Sequence, residues 1–287
     1  MNLNIDKLRD KIYACWLGKN IGGTIGGPYE GSRELLNISG FTTPPNQALP
    51  NDDLDLQLLW LKAVEDYGIG QLDERLLGEY WVSFITGQWN EYGIAKLNLA
   101  DGLISPLSGN YRNDWKNSNG AWIRTEIWAC MMPACPNCAS RYAKMDAMVD
   151  HGAGEGTYAA IFVAAMQSAA FAENNIRTLI EIGLTKIPEN CRTARAIKLA
   201  VKCYDGGETW QSARNAILNE VKDIGDGWFE APGNVAYVII GLLYGNGDFK
   251  NSVLTALNCG DDTDCTAATV GATLGILGGT AALPQDW

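Results

Sequence analysis

Apolar residues recur with helical spacing along almost the whole chain. Over residues 55–66 (DLQLLWLKAVED), Leu58, Leu61 and Val64 fall on one helix face and Asp55, Lys62 and Asp66 on another. Residues 157–173 (TYAAIFVAAMQSAAFAE) are apolar over most of a helix circumference, which predicts a buried central helix. Helical periods continue over 190–204, 209–222 and 234–244, and 265–277 (CTAATVGATLGIL) is small and apolar enough for close helix packing. Alternating strand patterns are scarce and no βαβ rhythm occurs. The pattern predicts an all-α fold: one compact orthogonal helical domain over residues 1–287, built around the central helix.

Glycine supports that reading. The 32 glycines gather in groups, among them Gly22-Gly23, Gly26-Gly27, Gly152 to Gly156 and Gly225-Gly227, as expected at helix stops and tight turns. The run from Gly18 to Gly23 reads as close helix packing followed by a turn. Residues 87–120 are the least regular stretch, rich in Asn, Gly and Trp, and such a segment is often functional.

Composition narrows the function. The chain has 287 residues, 47% hydrophobic and 19% charged, with net charge −11. That is a globular composition without basic clusters, so nucleic acid and anionic membranes are not expected partners. No apolar run reaches the roughly 18–20 residues of a membrane span. The start, Met1 to Leu8, lacks the basic-then-apolar order of a secretory leader, so a cytoplasmic protein is expected. In that compartment the eight cysteines read as reduced thiols, and Cys135-Pro136-Asn137-Cys138 as a plain pair of loop thiols. The single histidine, His151, excludes metal sites built from several imidazoles. Acid–base chemistry must then rest on Asp, Glu, Lys, Tyr, Cys or metal-bound water.

Two acidic runs carry the candidate chemistry. Asn51-Asp52-Asp53-Leu54-Asp55 precedes one predicted helix, and Asp261-Asp262-Thr263-Asp264-Cys265 precedes another near the far end of the chain. Helix capping explains one Asp or Asn in each. It does not explain three. Two bare carboxylates 4 Å apart repel by about 4 kcal/mol at an effective dielectric near 20. Crowding of this kind needs solvent or a cation, and oxygen donors suit Mg²⁺, Mn²⁺ or Ca²⁺. Neither run is an EF-hand loop, and the glycine-rich segment from Gly18 to Gly31 is neither a P-loop nor a dinucleotide fingerprint. By its surroundings Glu30 reads as a solvated acid. His151-Gly152 stands just ahead of the central helix and reads as an ordinary loop or cap.

Taken in order, these segments resemble the ADP-ribosylglycohydrolase family over almost the whole chain. Gly18 to Glu30 is similar to that family's G-x-x-x-G-D-x-x-G-x-x-x-E, and Asn51-Asp52-Asp53-Leu54 to its T-D-D-T. Asn119-Gly120-Ala121-Trp122-Ile123-Arg124 is similar to G-N-G-A-x-x-R, Asp150-His151-Gly152 to a T-H loop, and Asp262-Thr263-Asp264-Cys265 to D-T-D-T. Asn51 and Leu54 stand where the family has Thr, Gly23 where it has Asp, and Cys265 where it has a Thr hydroxyl. The D-T-D-C ending resembles a variant bacterial group of the family.

The resemblance implies an all-α metal-dependent hydrolase with two Mg²⁺ ions, Mn²⁺ or Ca²⁺ being the alternatives. It would cut the glycosidic bond of ADP-ribose linked to a protein side chain or small molecule. By position, Asn51, Asp52, Asp53, Asp262, Asp264 and Cys265 would be metal ligands, and Glu30 and Asp262 catalytic. Asn119, Gly120, His151 and Gly152 would bind the diphosphate and the adenosine-side ribose. Two alternatives remain: hydrolysis of another N- or O-ribosyl compound, and a non-catalytic protein of the same fold that binds metal or ADP-ribose.

Overall fold

The computed structural model describes residues 4–44, 47, 49–88, 90–225 and 227–287, so Met1, Asn2 and Leu3 of the start segment lie outside it. The described residues form the helices α1 (Ile5–Gly26), α2 (Asp52–Tyr67), α3 (Glu74–Phe84), α4 (Asn90–Ala100), α5 (Leu107–Asn110), α6 (Glu126–Met131), α7 (Pro136–Asp150), α8 (Glu155–Ala169), α9 (Ile176–Leu184), α10 (Arg192–Asp205), α11 (Trp210–Val221), α12 (Ala231–Tyr244), α13 (Phe249–Asn258) and α14 (Thr263–Gly278). They contain no β-strand, only two isolated bridges, Ser32 with Asp261 and Ser118 with Glu230. None of these helices is long and apolar enough to cross a membrane. The fold is all-α, as the periodicity predicts.

Three helices are buried nearly all round. In α8 only Glu155 and Tyr158 reach the surface, and α12 and α14 are buried over Ala231 to Leu243 and Thr263 to Ile276. The predicted central helix is therefore α8, with α7 and α9 packed against it.

Glycine decides how the first and last helices meet. α1 packs on α14 more extensively than any other pair. A Cβ added at Gly18 would stand 2.2 Å from the Gly271 carbonyl oxygen, and one at Gly22 2.2 Å from that of Ala267. The two backbones touch, which only residues without a side chain permit. Gly18 and Gly22 thus form the close helix packing expected of that run, and Gly23 faces the Asn51 side chain; neither Gly22 nor Gly23 stands at a helix junction as their grouping suggests. The contact carries the end of α1, and Glu30 just beyond it, onto the start of α14. Gly31 N–H donates to Asp261 O at 2.8 Å, and Asp261 N–H returns a bond to Ser32 O at 2.7 Å.

Three further expectations are corrected. In α2 the buried face is Asp53, Leu56, Gln57, Trp60 and Ala63, while Leu58 is 59% exposed and Leu61 and Val64 are only partly buried. Trp60 and the inward Asp53 and Gln57 set that face, which counting aliphatic residues alone misses. Residues 87–120 hold α4 and α5 rather than irregular chain throughout. Cys135 and Cys138 are paired as a disulfide at the start of α7, while the other six cysteines are free. The C-x-x-C spacing across a helix start brings those two sulfurs together.

Candidate functional site

Both acidic runs sit at helix starts, and neither is spent on capping. Asn51 is the N-cap residue of α2 and Asp262 that of α14, yet neither side chain accepts a capping hydrogen bond. Instead the runs meet. Asp52, Asp262, Asp264 and Cys265 line one cleft together with Glu30, and Cys265 Sγ donates to Asp53 Oδ1 at 3.5 Å across 212 positions of sequence. One ligand atom each from Glu30, Asp262 and Asp264 lies within 4.8 Å of the others, and the same holds for Asp53, Asp264 and Cys265.

The third acid of the second run has a different task. Asp261 Oδ1 accepts from Phe229 N–H at 2.9 Å and Oδ2 from Asn234 Nδ2 at 2.9 Å. With its backbone at φ 67°, Asp261 fixes the turn that aims Asp262 and Asp264 into the cleft. Asn119 Nδ2 donates to Asp262 Oδ2 at 2.6 Å, and Asn119 Oδ1 accepts from Trp122 Nε1 at 2.9 Å. Asn119 is thus engaged in orienting a carboxylate. Tyr92 hydroxyl donates to Asp52 Oδ2 at 3.4 Å.

The electrostatics are those of crowded acids. Although Glu30 is an exposed residue, partial desolvation of its carboxyl, then the charges of Asp264 and Asp52, push it up to about 7. Burial, followed by Asp264, raises Asp52 and carries Asp262 well above the usual carboxylate range. Burial also drives Asp53 well up, against the pull of Lys19, and lifts the Cys265 thiol, with Asp262 adding to the effect.

A divalent cation fits part of this donor set. Asn51 Oδ1, Asp53 Oδ2 and Asp264 Oδ1 are buried side-chain oxygens without a hydrogen-bond partner, and a buried oxygen left so costs about 1–3 kcal/mol. Carboxylate oxygens match hard cations, whereas the Cys265 sulfur matches softer ones.

Several residues beneath or in the cleft carry no clear signal in the sequence. Lys19, without exposed surface, stands 3.8 Å from Asp53 Oδ2 and 3.1 Å from Glu126 Oε2, and donates to Ile123 O at 2.7 Å. Burial works to lower its pKa, but Asp53 and Glu126 outweigh it and hold the ammonium charged. Only its place in the glycine-rich segment marked it. Glu91, Trp115, Ser118 and Phe229 line the cleft; the first three fall in the 87–120 segment whose irregularity points to function, without a motif of their own, and nothing in the sequence points to Phe229.

The remaining expected residues divide. Gly120 lines the cleft beside Asn119, whereas His151 and Gly152 are buried and are not among its lining residues. His151 Nδ1 faces Asp150 Oδ2 at 3.1 Å, and Nε2 faces Ser118 Oγ at 3.1 Å and Glu91 Oε1 at 3.7 Å. Asp150 is in turn paired with Arg124, which also binds Asp146. A chain of buried polar and ionisable side chains thus runs from the core to the cleft at Glu91. Burial raises the Glu91 carboxyl, and His151 opposes the shift.

The sequence profile of a family described as ADP-ribosylglycohydrolase matches residues 4–287. A solved structure described as an ADP-ribosylglycohydrolase-related protein complex superposes with a TM-score of 0.71 at 20% sequence identity, covering 98% of this chain and 92% of the other. No curated protein is a significant match to the sequence.

Proposed function

The chain belongs to the ADP-ribosylglycohydrolase family, and on that premise we propose that it is a divalent-metal-dependent hydrolase of the ribosyl C1″ bond in ADP-ribosylated side chains or small molecules. The observation that carries the reading is the meeting of Asp52, Asp262 and Asp264 in one cleft from opposite ends of the sequence, where the buried Asp264 Oδ1 lacks a hydrogen-bond partner.

A bound cation supplies positive charge at a water molecule and at the ribose hydroxyls. The chain supplies the rest. Asn119 holds Asp262 in one orientation. Glu30 stands with Asp262 and Asp264 in the cleft, where its carboxylate can take a proton from water and return it to the leaving group. In the hydrolysis the C1″ bond to nitrogen or oxygen breaks, water oxygen takes its place, and the leaving group receives a proton. Trp115 and Phe229 line the cleft and offer aromatic faces for sugar or base.

One observation favours a second reading, hydrolysis of a ribosyl compound without a diphosphate. Glu91 Oε1 stands 2.1 Å from where a Gly120 side chain would begin. An acid against the Asn119-Gly120 loop disfavours an anionic group there and favours a neutral or cationic one.

The test is a panel of N- and O-linked ADP-ribosyl compounds and uncharged ribosyl analogues, assayed with Mg²⁺, with Mn²⁺ and with chelator. Metal-dependent release of ADP-ribose supports the first reading. Release from the uncharged analogues alone supports the second. Binding without release from any of them contradicts both and leaves a non-catalytic member of the fold.

A further inference from the structure

The cleft offers two cation positions that share Asp264, and the surroundings of the two differ. The outer one is formed by Glu30, Asp262 and Asp264, all carboxylates. Asp264, 9% exposed, keeps its Oδ1 without a hydrogen-bond partner. The inner one is formed by Asp53, Asp264 and Cys265 and is wholly buried. There Cys265 Sγ donates to Asp53 Oδ1 at 3.5 Å, and the Lys19 ammonium stands 3.8 Å from Asp53 Oδ2.

Lys19 cannot withdraw from that place. Its ammonium is tied to Ile123 O and Glu126, and Glu126 is itself held by Gln57 Nε2 and Gln167 Nε2, each at 2.9 Å. Its helix is locked to α14 by the backbone contacts at Gly18 and Gly22. A divalent ion in the inner position would face this fixed charge across a few ångströms of low-dielectric interior, where like charges repel strongly. It would also have to accept a sulfur donor that hard cations disfavour.

We infer that the cleft binds one divalent cation, at the Glu30, Asp262 and Asp264 position, and that the Lys19 ammonium takes the place of a second ion behind Asp53. This rests on the metal-dependent reading above and departs from the two-ion site that the family resemblance implies. With one cation, the cleft's own carboxylates must carry the proton transfers that a second ion would otherwise ease.

The test is metal stoichiometry, which does not depend on turnover. Protein stripped with chelator is titrated with Mn²⁺ by calorimetry, and the saturated sample is examined by electron paramagnetic resonance. One Mn²⁺ per chain with the six-line spectrum of an isolated ion is expected. Two ions with an exchange-coupled spectrum overturn the inference and leave the metal-dependent reading standing, whereas no binding overturns both. Lys19→Met paired with Glu126→Gln should raise the stoichiometry from one to two, and a value still at one would remove Lys19 from this role. Should that protein not fold, Cys265→Thr decides. It keeps the ammonium and supplies a hydroxyl, so it should still bind one ion, and two would assign the exclusion to the thiol and overturn the inference.

Discussion

Asn119 Nδ2 donates to Asp262 Oδ2 at 2.6 Å although 143 positions separate the two residues. The bond joins the Asn-Gly loop to the start of α14 and leaves one acid of the cleft in a single orientation. Groups that orient metal ligands typically contribute 10–100-fold to metal affinity. Asn119→Ala should therefore weaken Mn²⁺ binding by about 10–100-fold, measured by titration of the chelator-stripped protein. An unchanged affinity would show that Asp262 is held by its turn alone.

The contact between α1 and α14 should be intolerant of any side chain. Gly22→Ala drives a methyl group into the Ala267 carbonyl, an overpacking that costs about 1–3 kcal/mol. Gly40→Ala is the control, because nothing lies within 4 Å of a Cβ there. Thermal melts should show a clear loss for the first variant and none for the second. Equal melting temperatures would mean that the helices can move apart freely.

Arg124 is buried between Asp146 and Asp150. Removing one member of such a network leaves the others as uncompensated charge, typically at a cost of about 3–5 kcal/mol. Arg124→Met should lose stability on that scale in denaturant unfolding. A loss below about 1 kcal/mol would indicate that one of the two acids simply takes up a proton.

The crowded carboxylates also set a pH dependence. Glu30 is raised to about 7 and Asp261 to about 6, each chiefly by desolvation. Between the unfolded carboxylate range near 4 and these values the folded state binds more protons than the unfolded one, so stability falls as pH rises through that window. In chelator, the melting temperature should climb as pH drops from about 7.5 to 5.5 through those two values. Saturating Mg²⁺ should flatten the Glu30 part of that slope, because the cation binds the ionised form. A slope of the same size with and without Mg²⁺ would place Glu30 outside the site.

Much of this was legible in the chain. The helical periods at 157–173 and 265–277 mark α8 and α14 because an all-apolar helix has only one place to go. The two acidic runs mark the cleft because carboxylates do not crowd without a reason. What stayed hidden depended on tertiary contact. Lys19 looked like one more residue of a glycine-rich stretch, and its burial follows from Glu126 and Asp53 arriving from distant helices. Glu91 belongs to no motif, and α4 brings it to the Asn119-Gly120 loop. In α2 the aliphatic periodicity picks out Leu58, Leu61 and Val64, whereas Trp60 with the inward Asp53 and Gln57 chooses the buried side.

The central claim is that the joined acidic runs hold the cation that makes hydrolysis possible, and Asp262 stands where they meet. The most direct measurement compares the native protein with Asp262→Asn for Mg²⁺-dependent release of ADP-ribose from an ADP-ribosylated substrate, with melts in chelator and in Mg²⁺ alongside. The amide relieves repulsion in the metal-free cleft and can still occupy the N-cap. The variant should therefore fold with equal or higher stability in chelator, gain less from Mg²⁺ and release no ADP-ribose. Release at the native rate with the same Mg²⁺-induced rise in melting temperature would contradict the account and return Asp262 to an ordinary helix start.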